Sequence, residues 1–100
     1  MELAGPPGES RETRLRRLHM RSIRRGIREM DLILGAFARE QLPGLSESRL
    51  DEYERLLAES DHDIYRWVTT GEGEPEGLEA LMALVRKGAE GVGTSSSSEA

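Results

Sequence analysis

One hundred residues without a cysteine allow one small domain and exclude disulfides, thiolate metal sites, iron–sulfur ligation and cysteine nucleophiles. Apolar residues make up 36% of the chain and only Phe37, Tyr53, Tyr65 and Trp67 are aromatic, so the core has to come from Leu, Ile, Met and Ala, which suits helices better than a sheet sandwich. The net charge of −5 conceals a polarity: residues 11 to 28 carry eight Arg against Glu12 alone, while residues 40 to 100 carry 5 bases against 14 acids.

Residues 1–9 hold Gly5, Pro6, Pro7 and Gly8 without a hydrophobic period and read as a disordered leader. They contain no apolar signal core, and Glu2, Glu9 and Glu12 do not fit an acid-poor transit peptide. Ser10 is a fitting N-cap for a first helix that turns Leu15, Leu18, Ser22 and Ile23 inward. Gly26 interrupts it. Ile27, Met30, Leu34 and Phe37 or Ala38 then recur at helical spacing until Leu42-Pro43-Gly44, where proline prevents continuation. Ser46 caps a third helix with Leu50, Tyr53, Leu56 and Leu57 inward, and Asp61 is expected to cap a fourth with Ile64, Trp67 and Val68. Gly71 and Gly73 end that helix, and Pro75 suits the first turn of a fifth one burying Leu78, Leu81, Met82 and Val85. From Gly88 onward Gly91, Gly93 and the run Ser95 to Ser98 form a flexible tail.

The expectation is therefore all-α: a compact five-helix bundle of antiparallel neighbours over residues 10–87, between a leader (1–9) and a tail (88–100). The longest uncharged apolar run, Leu32 to Ala38, is far short of the ~20 residues that cross a bilayer. A cytoplasmic location is the default.

Two constellations invite a functional reading. Arg14, Arg17, Arg21, Arg24 and Arg28 follow a 3, 4, 3, 4 spacing, flanked by Arg11, Arg16 and Arg25, so an unbroken helix would carry them as one basic ridge. Such a ridge either binds phosphate, lipid or an acidic partner, or is a solvated face paired with the acidic half of the same molecule. The acidic whole-chain balance and the lack of an aromatic within the basic stretch argue against dedicated nucleic-acid binding. Residues 25–31 are more specific. A glycine in helical surroundings costs ~1 kcal/mol against Ala and serves close approach of another backbone. On a helix, Arg25 and Glu29 at i, i+4 would share a face beside bare Gly26, forming a shallow notch with one cation and one anion. The alternative is an ordinary helix ion pair of ~0.2–0.5 kcal/mol, with Gly26 marking the corner between two helices.

The remaining polar groups point to no chemistry. His19 reads as a boundary residue, His62 sits in an acidic helix start, and Glu59, Asp61 and Asp63 lack the alternating ligands and glycine of a calcium loop. Tyr65 and Trp67 read as core or rim anchors, and no glycine-rich loop follows a strand. The chain does not look like an enzyme.

The run Arg25-Gly26-Ile27-Arg28-Glu29 resembles the Arg-Gly-x-x-Glu motif of the succinate dehydrogenase assembly factors, the SdhE type of bacteria and its mitochondrial counterpart. Met30-Asp31-Leu32 continues it, Phe37 follows, Leu45-Ser46 opens the third helix, and Tyr53, Leu56-Leu57 and Asp61-x-Asp63-Ile64-Tyr65-x-Trp67 match further landmarks, so the likeness covers residues 14 to 87. The Arg-rich first helix, with less aromatic character before the motif, departs from that pattern.

This resemblance implies a five-helix chaperone, monomeric when free, that binds the flavoprotein subunit of succinate dehydrogenase, and in some bacteria fumarate reductase, and promotes covalent attachment of FAD to a His of that subunit. It implies no catalytic residue, metal or stably bound cofactor in this chain, FAD being the client's. It places client contacts at Arg25, Gly26 and Glu29, with Arg28 and Asp31 on the same surface and Arg25 giving the client a charge-assisted hydrogen bond. In a eukaryote the location would be the mitochondrial matrix. A different class of function, a small nucleic-acid-binding or antitoxin-like regulator using the Arg ridge, is the alternative.

Overall fold

Three serines start three of the helices. In the computed structural model, which describes residues 8–90, Ser10, Ser46 and Ser60 are N-caps whose hydroxyls accept from the backbone N–H of Thr13, Arg49 and Asp63 at 3.1, 3.2 and 3.1 Å. They open α1 (Arg11–Ser22), α3 (Glu47–Leu57) and α4 (Asp61–Thr70); α2 (Arg28–Glu40) and α5 (Glu79–Ala89) start without a side-chain cap. A single 3-10 turn, Leu42–Gly44, carries Pro43 between α2 and α3, and there is no strand among the described residues. The bundle is all-α, as the periodicity predicts. Most of the expected leader and tail, residues 1–7 and 91–100, lies outside the described residues.

Three local expectations need correction. Ser60, not Asp61, caps α4; Asp61 takes the first helical position, where a carboxylate favours the helix dipole and its oxygens remain available to other partners. Pro75 does not begin α5 but builds the preceding turn, its carbonyl accepting from Leu78 N–H at 3.1 Å. Ile23 is 37% exposed instead of inward. It closes over Gly35 of α2, where a Cβ would come within 2.9 Å of Ile23 Cγ2, so Gly35 is the residue that permits the α1–α2 corner to shut. At the far end α5 includes Gly88, which lies against Phe37, and so runs past the composition shift at residue 87.

Helix α2 is the hub, packing on α1, on α5 and on the 3-10 turn; α3 packs on α1 and α5, and α4 on α5. Met30, Leu34 and Phe37 of α2 meet Leu18 of α1, Leu50, Tyr53 and Leu56 of α3, Ile64 and Trp67 of α4, and Leu81, Met82 and Val85 of α5 in one apolar cluster. Burying each large side chain contributes ~1.5–3 kcal/mol, the main force closing a core so short of aromatics. Tyr53 stacks on Phe37 at 5.5 Å between centroids. Its phenol is satisfied inside the core: Ser22 Oγ donates to Leu18 O at 2.7 Å, leaving its lone pair to accept from Tyr53 Oη, also at 2.7 Å. Burial raises the Tyr53 pKa, so the phenol stays protonated as a donor.

The contacts between α1 and α3 climb together, from Arg11 with Glu47 to Arg14 with Asp51 and Glu54. These two helices therefore run parallel, α2 providing the return between them. The expectation that all neighbours are antiparallel fails here, because it considered sequential helices only.

Candidate docking site at the α1–α2 corner

The Arg series does not form one ridge. Helix α1 ends at Ser22, with Ile23 as its C-cap, so Arg24 and Arg25 lie in the connection and Arg28 begins α2. Arg11, Arg14 and Arg17 of α1 are paired inside the molecule. Arg14 reaches Glu54, Glu47 and Asp51 at 2.7, 2.9 and 2.6 Å, Arg17 reaches Glu9 at 2.9 Å and Glu54 at 3.1 Å, and Arg11 bonds Glu47 and the carbonyls of Pro43 and Leu45. Glu54, an almost fully buried carboxylate, is the hinge of this network. Arg17's hydrogen bond holds the Glu9 carboxyl below its ordinary value, partly opposed by burial, and raises its own guanidinium in turn.

Arg25 and Glu29 do not share a helical face, because the helix that would align them begins only at Arg28. Arg25 turns inward. Its Nε donates to Asp61 Oδ1 at 2.6 Å, Nη1 to Leu57 O at 2.6 Å and Nη2 to Glu59 O at 2.7 Å. The two carbonyls belong to the C-terminal end of α3 and the link beyond it, where orphan acceptors attract a cation, and Asp61 stands at the start of α4. With the two side chains 11% and 15% exposed, this is a desolvated clamp between the α1–α2 corner and the α3–α4 connection. All three nitrogens are engaged, so Arg25 commits three of its five N–H donors to the interior of the molecule in this conformation.

Asp31 is also structural. Ile27, the N-cap residue of α2, has no side-chain cap to give, and Asp31 accepts the Arg25 backbone N–H at 2.8 Å instead. The corner is thus held from both sides, by Asp31 from α2 and by Asp61 from α4.

What remains outward is Gly26, Arg28 and Glu29, all exposed. Gly26 has φ +101°, a conformation that L side chains rarely adopt. A Cβ there would meet only Asp61 Oδ2 at 3.9 Å, an ordinary contact, so backbone conformation requires the glycine and no helix packs against it. Arg28 and Glu29 form no hydrogen bond or ion pair with a described residue. The five candidate positions therefore divide: Arg25 and Asp31 build the corner, and Gly26, Arg28 and Glu29 present it. Sequence reasoning missed Asp61 and the carbonyls of Leu57 and Glu59, and a cap-like acid 36 residues from Arg25 gives no signal of that contact.

The corner thus shows bare backbone at Gly26 beside the exposed side chains of Arg28 and Glu29, and no group of His, Asp or Glu that could hold a metal ion occurs among the described residues. The profile of a family described as "Flavinator of succinate dehydrogenase" matches residues 16–89, and the chain belongs to this family, one of assembly factors and not of enzymes. Among similar proteins, the succinate dehydrogenase assembly factor 2, mitochondrial, of Meyerozyma guilliermondii is 55% identical over 62 residues, covering 62% of this chain and 46% of the relative. The proteins of the same name from Debaryomyces hansenii and Mycosarcoma maydis are 50% and 44% identical, over 62% and 69% of this chain and 44% and 29% of their own lengths. This chain spans less than half of each of these relatives. No helix among the described residues is long and apolar enough to cross a membrane.

Proposed function

We propose that this chain docks on the flavoprotein subunit of succinate dehydrogenase through Gly26, Arg28 and Glu29 and promotes covalent attachment of FAD to that subunit. The observation that carries the reading is the exposed positive-φ turn at Gly26, flanked by unpaired charges and clamped from behind by Arg25 and Asp31. A corner held this firmly is pre-organised, so little conformational freedom is lost on binding. The chemistry belongs to the client: its own His and its own bound flavin react in a conformation that the docked chain stabilises. FAD is then the client's cofactor, and the site of action is the bacterial cytoplasm or the mitochondrial matrix. Residues 25 and 31 contribute as positioning residues, a change from the direct contact that the motif alone suggests.

Against the nucleic-acid reading, Arg11, Arg14 and Arg17 are paired with acids of α3 and with Glu9, and the ridge is broken after Ser22. The test is in-gel flavin fluorescence of the flavoprotein subunit expressed with wild-type chain, Glu29→Ala or Gly26→Arg. Glu29→Ala is expected to abolish flavinylation with the melting temperature unchanged, and Gly26→Arg to abolish it with some loss of stability from backbone strain. Wild-type flavin levels with both variants would remove the reading.

A further inference from the structure

Beside the docking corner lies an open cavity of about 260 Å³ lined by Met20, Arg21, Arg24 and Arg25. Its three arginines are in different states. Arg25 has each of its three nitrogens engaged in the clamp and contributes mainly charge. Arg24 is exposed and makes no hydrogen bond or ion pair with a described residue. Arg21 is the unusual one: its Nη1 is buried and has no hydrogen-bond partner among the described residues. Burial pulls the Arg21 guanidinium below its ordinary pKa, Glu54 opposes that, and Arg17 and Arg25 add to it.

A buried cationic N–H without an acceptor is costly, and nothing in the packing of α1 demands one. A methionine at position 21 would cover the same apolar surface with no charge to desolvate. The Arg21 side chain as a whole forms no hydrogen bond or ion pair with a described residue while lining the cavity, so a charge partner for it has to come from outside. The cavity is smaller than the roughly 300–1,000 Å³ of pockets that enclose a whole cofactor or drug-sized ligand, and has room for a single anionic group. Its lining includes Arg24 and Arg25, the residues that lead into Gly26, so it lies next to the corner.

We propose that this cavity receives a carboxylate, an Asp or Glu side chain of the flavoprotein docked at Gly26, with the guanidinium groups of Arg21 and Arg24, both of which line it, as the donors. This rests on the docking reading above and adds to it an acidic anchor on the partner. Two arginines converging on one carboxylate give charge-assisted hydrogen bonds in a place shielded from solvent once the partner is bound, so Arg21 acts chiefly on dissociation and exposed Arg24 on association and salt dependence.

The experiment measures binding of the full chain to the purified apo flavoprotein subunit of succinate dehydrogenase, at low and moderate salt, for wild type, Arg21→Met, Arg24→Gln and Glu29→Ala, with a thermal melt of each free variant. Arg21→Met and Arg24→Gln are each expected to weaken binding roughly tenfold. Arg21→Met should melt at or above the wild-type temperature, because an unpaired buried cation has been removed. If both bind like wild type while Glu29→Ala does not bind, the carboxylate site is refuted and the docking reading stands; if wild type itself does not bind, both fall. A fall of more than about 5 °C in Arg21→Met makes Arg21 structural and overturns the proposal. Inorganic phosphate or pyrophosphate binding to the free chain, and lost in Arg21→Met, assigns the cavity to phosphate and overturns the carboxylate.

Discussion

Arg11, Arg14 and Arg17 differ from Arg21, Arg24 and Arg25 in nothing that the spacing of the sequence reveals, yet the structure treats the two groups in opposite ways. The difference comes from α3. Running parallel to α1, it presents Glu47, Asp51 and Glu54 at i, i+4 and i+7, one acid stripe directly opposite the first three arginines. Past Glu54 the stripe ends at Leu57; Arg25 finds Asp61 of α4 and two backbone carbonyls instead, and Arg21 and Arg24 find no partner among the described residues. The basic third and the acidic remainder of the chain are thus partly an internal match. Function begins where the match stops.

That contrast can be broken most sharply at Arg25. Arg25→Ala strands a poorly hydrated Asp61 and two carbonyls, and is expected to cost about 3 kcal/mol in urea unfolding and to disable flavinylation with it. Asp61→Ala, which keeps the carbonyl bonds, should cost about 2 kcal/mol and reduce flavinylation without touching the exposed motif. The paired half of the series comes next: Arg14→Ala is expected to lose about 1–2 kcal/mol, with coupling to Glu54 visible in a double-mutant cycle, whereas Arg24→Ala should change stability by less than about 0.5 kcal/mol. An equal loss at Arg14 and Arg24 would erase the distinction between the two groups.

The smallest effect concerns acid. Glu9 has its folded pKa lowered from 4.5, so its contribution is fully present above pH 4.5 and is lost as pH falls through the lowered value. Chemical denaturation from pH 6 to pH 3 should therefore show a steeper loss of stability in wild type than in Glu9→Gln.

Much of the fold was legible because it rests on local rules. The apolar stripes of α2, α3 and α5 were read from their period, and Ser10 and Ser46 from their capping position. The errors cluster where two acceptable residues compete, as at Ser60 and Asp61, or where a helix ends without a strong stop, as at Ser22. Treating residues 25–29 as helix put Arg25 beside Glu29; the positive φ of Gly26 instead makes that stretch a turn and sends the two side chains apart. The segment singled out in the sequence forms the α1–α2 corner, with the geometry of a turn and not of a helix face. Parallel pairing of α1 with α3 was beyond reach, since no spacing within either helix records which other helix it faces.

The clamp of Arg25 has a genetic consequence. Two of its three acceptors are main-chain carbonyls, which no substitution of Leu57 or Glu59 can delete, so side-chain identity there is free to drift as far as the clamp is concerned. Chain length is not. Inserting or removing one residue between 57 and 61 would shift both carbonyls and Asp61 relative to the corner, and such a lesion would phenocopy a mutation of Gly26 from more than thirty positions away.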